Sequence, residues 1–224
     1  MVNSLSVYQQ AVMLMAALIT LTSFLMLGQS RLLRLVGVFA VQGLLLSAST
    51  ALVAYSMALP HLYISAALSL VIKGLLIPAM LFRLIMRMNL HREMDTVEHP
   101  ARVIIGGASL VVFSYYVCLP IVKLSTLITL NTISVSLAVV LLGMLLMITR
   151  RHAVAQVVGF MSIENGLFFA AVVSTLGMPM VVELGIAFDV LVAAVIFGVF
   201  FFQIRSSIDS LDVDRLSQLS EVEE

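Results

Sequence analysis

Seven apolar runs fill almost the whole chain: 6–28, 35–58, 62–87, 101–119, 126–148, 153–176 and 180–204. A helix that crosses a bilayer needs about 20 mostly apolar residues, rising roughly 1.5 Å each through a hydrocarbon core about 30 Å thick. Each run meets that requirement. The gaps carry Pro60, Pro100, Pro120 and the sequence Gly177-Met178-Pro179, residues that interrupt helices. The pattern predicts an all-α integral membrane protein with seven transmembrane helices. Composition agrees, because 62% of the residues are hydrophobic and only 11% charged, too few to cover a soluble surface. A formal net charge of zero removes any bulk-charge case for binding nucleic acid. The single cysteine, Cys118, permits no internal disulfide and no thiolate cluster, and reads as a packing residue. The first run lacks a basic leader and is followed by "GQSRLLR". It reads as a spanning helix rather than a removed signal peptide.

Basic residues set the expected orientation. The loops after runs 1, 3, 5 and 7 hold Arg31, Arg34, Arg83, Arg87, Arg92, Arg102, Arg150, Arg151, Arg205 and Arg215. The opposite loops hold only Lys123. This bias places the C-terminus in the cytoplasm and the N-terminus outside. Tyr8, Tyr55, Tyr63, Tyr115 and Tyr116 all fall near the outer ends, where an aromatic belt belongs.

Three ionisable residues lie deep inside runs: Lys73, Glu164 and Asp189. At the helical rise they stand roughly 17, 17 and 14 Å from the nearer counted ends, which puts all three near the midplane. Glu183 lies only about 5 Å in, within reach of interfacial water. A midplane charge costs roughly 2.5–3.5 kcal/mol on insertion scales, so three unpaired charges cost on the order of 8–10 kcal/mol. Leucine would serve packing better. Two readings remain: a static Lys–Glu or Lys–Asp pair that sets helix register, or a proton or ion relay of groups able to exchange protons in a low-dielectric interior.

Gly159, Ser162, Gly166 and Ala170 share one face of the sixth run, a small-residue stripe for close helix contact. Glu164 lies about 140° away from Gly159 and is expected to face a cavity or another chain, with Asn165 beside it as a hydrogen-bonding neighbour. Glu183 and Asp189 are about 120° apart and form no paired-carboxylate site on their own helix. Pro78 follows Lys73 by five residues. It is expected to remove the bond to the Gly74 carbonyl and to kink or hinge the third helix, although proline in membrane helices is often only a bend. The chain has no phosphate-binding loop, no dinucleotide fingerprint and no CxxC or HExxH motif. His61, His91, His99 and His152 are scattered at helix ends and in loops, the pattern of interfacial residues rather than metal ligands. The loop 83–102 reads as a solvated turn or a docking surface, and the tail "SLDVDRLSQLSEVEE" as frayed or amphipathic.

The phrases "ITRRHAVAQVVGFMSIENG" (148–166), "VELGIAFDVLVAAVI" (182–196), "VIKGLLIP" (71–78) and "SLDVDRL" (210–216) resemble the component E membrane subunit of hydrogenase-4 and formate-hydrogenlyase-type complexes. The resemblance covers essentially the whole chain. Residues 126–216 also resemble the small K subunit of respiratory complex I and the C subunit of Mrp-type antiporters, through Arg150, Arg151, Gly159 and the tail at Leu211 to Asp214. This divides the chain into a four-helix extension (1–125), a K-subunit-like module (126–204) and a cytoplasmic tail (205–224). The K subunit carries a buried glutamate in each of its last two helices. Here those positions correspond to Met161 and Ala193, and the acids stand one turn away at Glu164 and Asp189.

The resemblance implies a multi-pass subunit in a prokaryotic inner (cytoplasmic) membrane without a redox centre of its own. Its partners would be antiporter-like and other membrane-arm subunits and a cytoplasmic hydrogenase arm, and those partners would carry a nickel–iron centre and iron–sulfur clusters. Glu164 would be the principal proton carrier, Asp189 the second, and Lys73 a partner that tunes or passes the charge. Glu183 and Asn165 would be auxiliary. Two alternatives stay open: a structural spacer in the membrane arm, and a subunit of a multisubunit cation/proton antiporter. A stand-alone transporter is disfavoured, because no internal repeat or pair of broken helices appears.

Overall fold

The computed structural model describes residues 7–57, 60–87, 100–120, 127–174, 185, 187–195 and 198. Every extended element among them is helical: α1 (Val7–Leu27), α2 (Leu32–Met57), α3 (Pro60–Ser69), a π-helical segment (Leu70–Leu76), α4 (Ile77–Arg87), α5 (Pro100–Cys118), α6 (Leu127–Thr149) and α7 (Ala153–Ser174). Residues 187–195 are also helical. α3, the π segment and α4 run on without a break and make one long element. Among the described residues, six stretches are long and apolar enough to cross a membrane. The seventh expected span, 180–204, lies largely outside the described residues, as do Glu183, most of the loop 83–102 and the tail 205–224.

Helix ends follow the sequence closely, with one instructive shift. Pro60 and Pro100, which read as gaps, are the first residues of α3 and α5. A proline is tolerated in the first turn because its missing N–H would have no helical partner there.

α6 and α7 form the most extensive helix pair, and α6 also packs on α5 and α1. α2 packs on α1, on α7 and along the whole α3–π–α4 element. Close approach rests on glycine. A Cβ on Gly159 would fall 3.0 Å from the Gly143 carbonyl oxygen, and one on Gly143 would fall 2.9 Å from the Gly159 carbonyl oxygen. A Cβ on Gly166 would stand equally close, at 3.0 Å, to the Ser136 carbonyl oxygen. Two members of the small-residue stripe thus seat α7 against α6, where dispersion between backbones replaces hydrophobic driving force.

The surface is apolar and the middle of the bundle is polar. Val41, Leu44, Val71, Leu75, Ile105, Val112 and Phe113 are exposed. Inside, one apolar core joins Met26, Phe39, Ile77, Leu142 and Met161, and a second joins Ile19, Leu46, Leu62, Val139 and Phe168. On three helices polar residues separate the two cores: Ser23 on α1, Gln42 on α2, and Ser162, Glu164 and Asn165 on α7; Lys73 of the π segment reaches the same layer through its contacts with Glu164 and Asn165. A polar layer therefore lies between two apolar layers at one height in the bundle.

Candidate functional site

The third element is built around Lys73. At Ile77 the backbone N–H bonds to the Ile72 carbonyl, five residues back, so the helix is widened by one residue per turn. The sequence expectation placed the missing Pro78 bond at Gly74. Five residues back from Pro78, whose ring carries no N–H, is the Lys73 carbonyl. That carbonyl lies against Gly43 of α2, where an added Cβ would stand 2.8 Å from the oxygen. Only glycine lets the backbone of α2 come this close, and the approach aims the Lys73 side chain across the bundle toward α7.

Lys73 is fully buried, and its ammonium is surrounded on three sides. It pairs with Glu164 Oε2 of α7. It donates to Asn165 Oδ1 at 3.1 Å. It lies 3.3 Å from Oδ1 of Asp189 in the helical stretch 187–195. Its Nζ also stands 4.8 Å from the centroid of the Phe168 ring, within cation–π range. The structure therefore brings Lys73, Glu164, Asp189 and Asn165 into one cluster, with the lysine touching both acids. Asp189 has no exposed surface, and its Oδ2 has no hydrogen-bond partner among the described residues.

The network continues where the sequence reading did not look. Asn165 Nδ2 donates to Gln42 Oε1 at 3.0 Å. Gln42 Nε2 donates to Ser23 Oγ at 2.7 Å and to Ser162 Oγ at 3.3 Å. Ser23 Oγ donates to the Ile19 carbonyl at 3.0 Å. Ser162 of the stripe thus turns to α2, while Gly159 and Gly166 face α6. Gln42 had a legible signal, since it is the only amide within the run 35–58. Ser23 had none, because serine and threonine in apolar helices commonly bond their own i−4 carbonyl, as Thr20 and Thr50 do here.

Glu164 is the one member of the cluster that reaches the outside, with 11% of its side chain exposed. It stands in the wall of a groove of about 400 Å³ lined otherwise by Phe160, Ile163, Leu167, Phe168, Gly185 and Phe188, among others. Phe160 and Phe188 of its lining pack with ring centroids 5.7 Å apart. Among the described residues no three His, Cys, Asp or Glu side chains converge as a metal site would require. The side chains of the cluster offer acid–base and electrostatic chemistry.

A helical bundle with an apolar exterior, several membrane-length helices and a buried charged layer defines a multi-pass membrane protein. Comparison with known proteins places it more closely. It is 32% identical over 151 residues to the uncharacterized protein Rv0085 of Mycobacterium tuberculosis, covering 67% of this chain and 69% of that protein. The chain belongs to the family of that mycobacterial protein. It is also 27% identical over 206 residues to hydrogenase-4 component E of Escherichia coli K12 and of Shigella flexneri, covering 92% of this chain and 95% of each of those proteins. No family model matches the chain, and no solved structure matches it.

Proposed function

We propose that this chain is a non-redox membrane subunit of a hydrogenase-type complex, and that its buried lysine–acid cluster takes part in moving protons across the membrane. The observation that carries the reading is the charge count of the site. Two carboxyl groups and one ammonium are closed off together in an apolar bundle. Exchange of one proton takes this triad between net neutrality and a single negative charge. An uncompensated charge is expensive in such surroundings, so proton uptake and release are coupled to what approaches the cluster. Glu164 accepts or releases the proton at its carboxylate oxygen on the groove side, Asp189 holds it in the interior, and Lys73 is the counter-charge. Similarity to component E along nearly the whole chain supports the setting. In that setting the neighbours are antiporter-like subunits and a cytoplasmic hydrogenase arm bearing the metal centres. The module 126–204 faces them within the inner membrane, and the C-terminal tail is cytoplasmic.

The test is Glu164→Gln in the assembled complex, with hydrogen-linked proton translocation measured in inverted vesicles in sodium-free and sodium-containing media. Loss of translocation with normal assembly is expected. Unchanged translocation removes Glu164 from the mechanism, and strict sodium dependence reassigns the ion. The saturated contacts of Lys73 favour one competing reading, a static charge lock in a spacer subunit. That reading predicts that the same variant fails to assemble on native gels, with coupling normal in whatever complex does form.

A further inference from the structure

The hydrogen bonds leading away from Lys73 have a single direction. An ammonium only donates, so the Asn165 atom facing it must be Oδ1. The Asn165 NH₂ then faces Gln42, which must present its own oxygen. The Gln42 NH₂ in turn faces the oxygens of Ser23 and Ser162. The Ser23 proton is spent on the Ile19 carbonyl, so its oxygen is left as an acceptor. Orientation is thus set from both ends, at the lysine and at the α1 backbone. Side-chain amides are assigned by just such networks. All members are buried, where an unmet donor or acceptor costs about 1–3 kcal/mol.

We infer that Gln42 is a positioning residue: acting through Asn165, it fixes an acceptor against Lys73 and so holds the ammonium between Glu164 and Asp189. α2 reaches the cluster through Gln42 and the backbone at Gly43, and among the described residues the charged groups facing Lys73 come from α7 (Glu164) and from 187–195 (Asp189). A second consequence follows from the same chain. It contains two amides, the Ser162 hydroxyl and the Ser23 hydroxyl bonded to the Ile19 carbonyl, and no ionisable group beyond Lys73, so it offers no titratable exit for a proton toward α1. The cluster is closed on the α1/α2 side and open at Glu164 and its groove. The orientation of these side chains follows from geometry alone, and its consequence for transport rests on the proton reading above.

The test uses the full chain in lipid bilayers with labelled lysine and asparagine. The chain has two lysines, Lys73 and Lys123, so assignment needs one substitution. Solid-state NMR is expected to show a dipolar contact between Lys73 Nζ and the Asn165 side-chain carbonyl in the wild type. Gln42→Leu and Ser23→Ala are expected to lose or weaken it, and Ser23→Thr, which keeps the hydroxyl, to retain it. In the assembled complex, Gln42→Leu and Ser23→Ala are expected to alter the pH profile of proton translocation, with Ser23→Thr following the wild type. An unchanged contact in both variants overturns the inference, as does a lost contact with an unaltered pH profile. If Gln42→Leu fails to fold, the Ser23 pair decides alone. Failure of the proton reading shows elsewhere, as normal translocation in Glu164→Gln with the NMR contact intact.

Discussion

Replacing Lys73 with methionine keeps most of the side-chain volume and removes the only cation that touches Glu164 and Asp189 among the described residues. Asp189 would then be buried with neither oxygen paired among the described residues. Removing one partner of a buried ion pair costs about 3–5 kcal/mol, because the other charge is left without compensation. The lost contact with Phe168 is included in that range. For a chain of this size roughly 2–4 °C of melting temperature goes with each kcal/mol, so the drop should be on the order of 6–20 °C. The protein supplies its own reporter. It has no tryptophan and one cysteine, and Cys118 is buried at the end of α5. A fluorogenic thiol reagent therefore follows unfolding without further labelling. The triple variant Lys73→Met, Glu164→Gln, Asp189→Asn removes all three charges and should regain most of the loss, since a neutral replacement of a buried ion cluster is often neutral or stabilising. A Lys73→Met protein as stable as the wild type, or a triple variant no better than the single one, would refute the view that these charges compensate one another.

Gly43→Ala should destabilise by about 1–3 kcal/mol through overpacking and displace Lys73, because the new Cβ meets the Lys73 backbone at 2.8 and 2.9 Å; a loss of transport with a lower melting point is the expected pair of readouts. Gly159→Ala should cost a similar amount, since its Cβ would stand 2.6 Å from Met147 Cγ and 3.0 Å from the Gly143 carbonyl oxygen. Gly106→Ala is the control, with nothing within 4 Å of its Cβ, and should stabilise α5 by about 0.5–1 kcal/mol in the same melting assay. Arg150 is buried and donates from one Nη to the carbonyls of Leu27 and Gln29 at 3.0 and 2.8 Å, closing the C-terminal end of α1. Burial lowers its pKa from the ordinary value, yet a guanidinium stays charged in proteins. Arg150→Ala should cost about 2 kcal/mol and Arg150→Lys less, because a single ammonium can hold one carbonyl but lacks the forked geometry.

The depth of Lys73 and Glu164 was legible because an α-helix advances by a constant rise. Counting residues from the ends of apolar runs therefore measures height directly, and the two residues do meet at one level. The glycine contacts of α7 were legible as a stripe for the same reason, through the fixed angular step. Constant steps hold only where the helix stays α. The π segment at Leu70–Leu76 breaks the step, so a count of four residues no longer fixes which carbonyl Pro78 leaves without a partner.

Length, apolar periodicity and the height of each charge are properties of single helices, and the chain determined them alone: an all-helical protein with membrane-length spans and ionisable groups near their centres. Which helices are neighbours, and which way each charge points, depends on rotations about several axes at once, and no spacing in a linear chain encodes them. The tertiary structure decided that one lysine serves two acids. It decided that Gln42, a lone amide in its run, and Ser23, which has no signal in sequence, complete the network through side chains up to 123 positions apart. It also decided that Glu164, alone of the buried charges, opens to the groove, because packing left that one face of α7 uncovered.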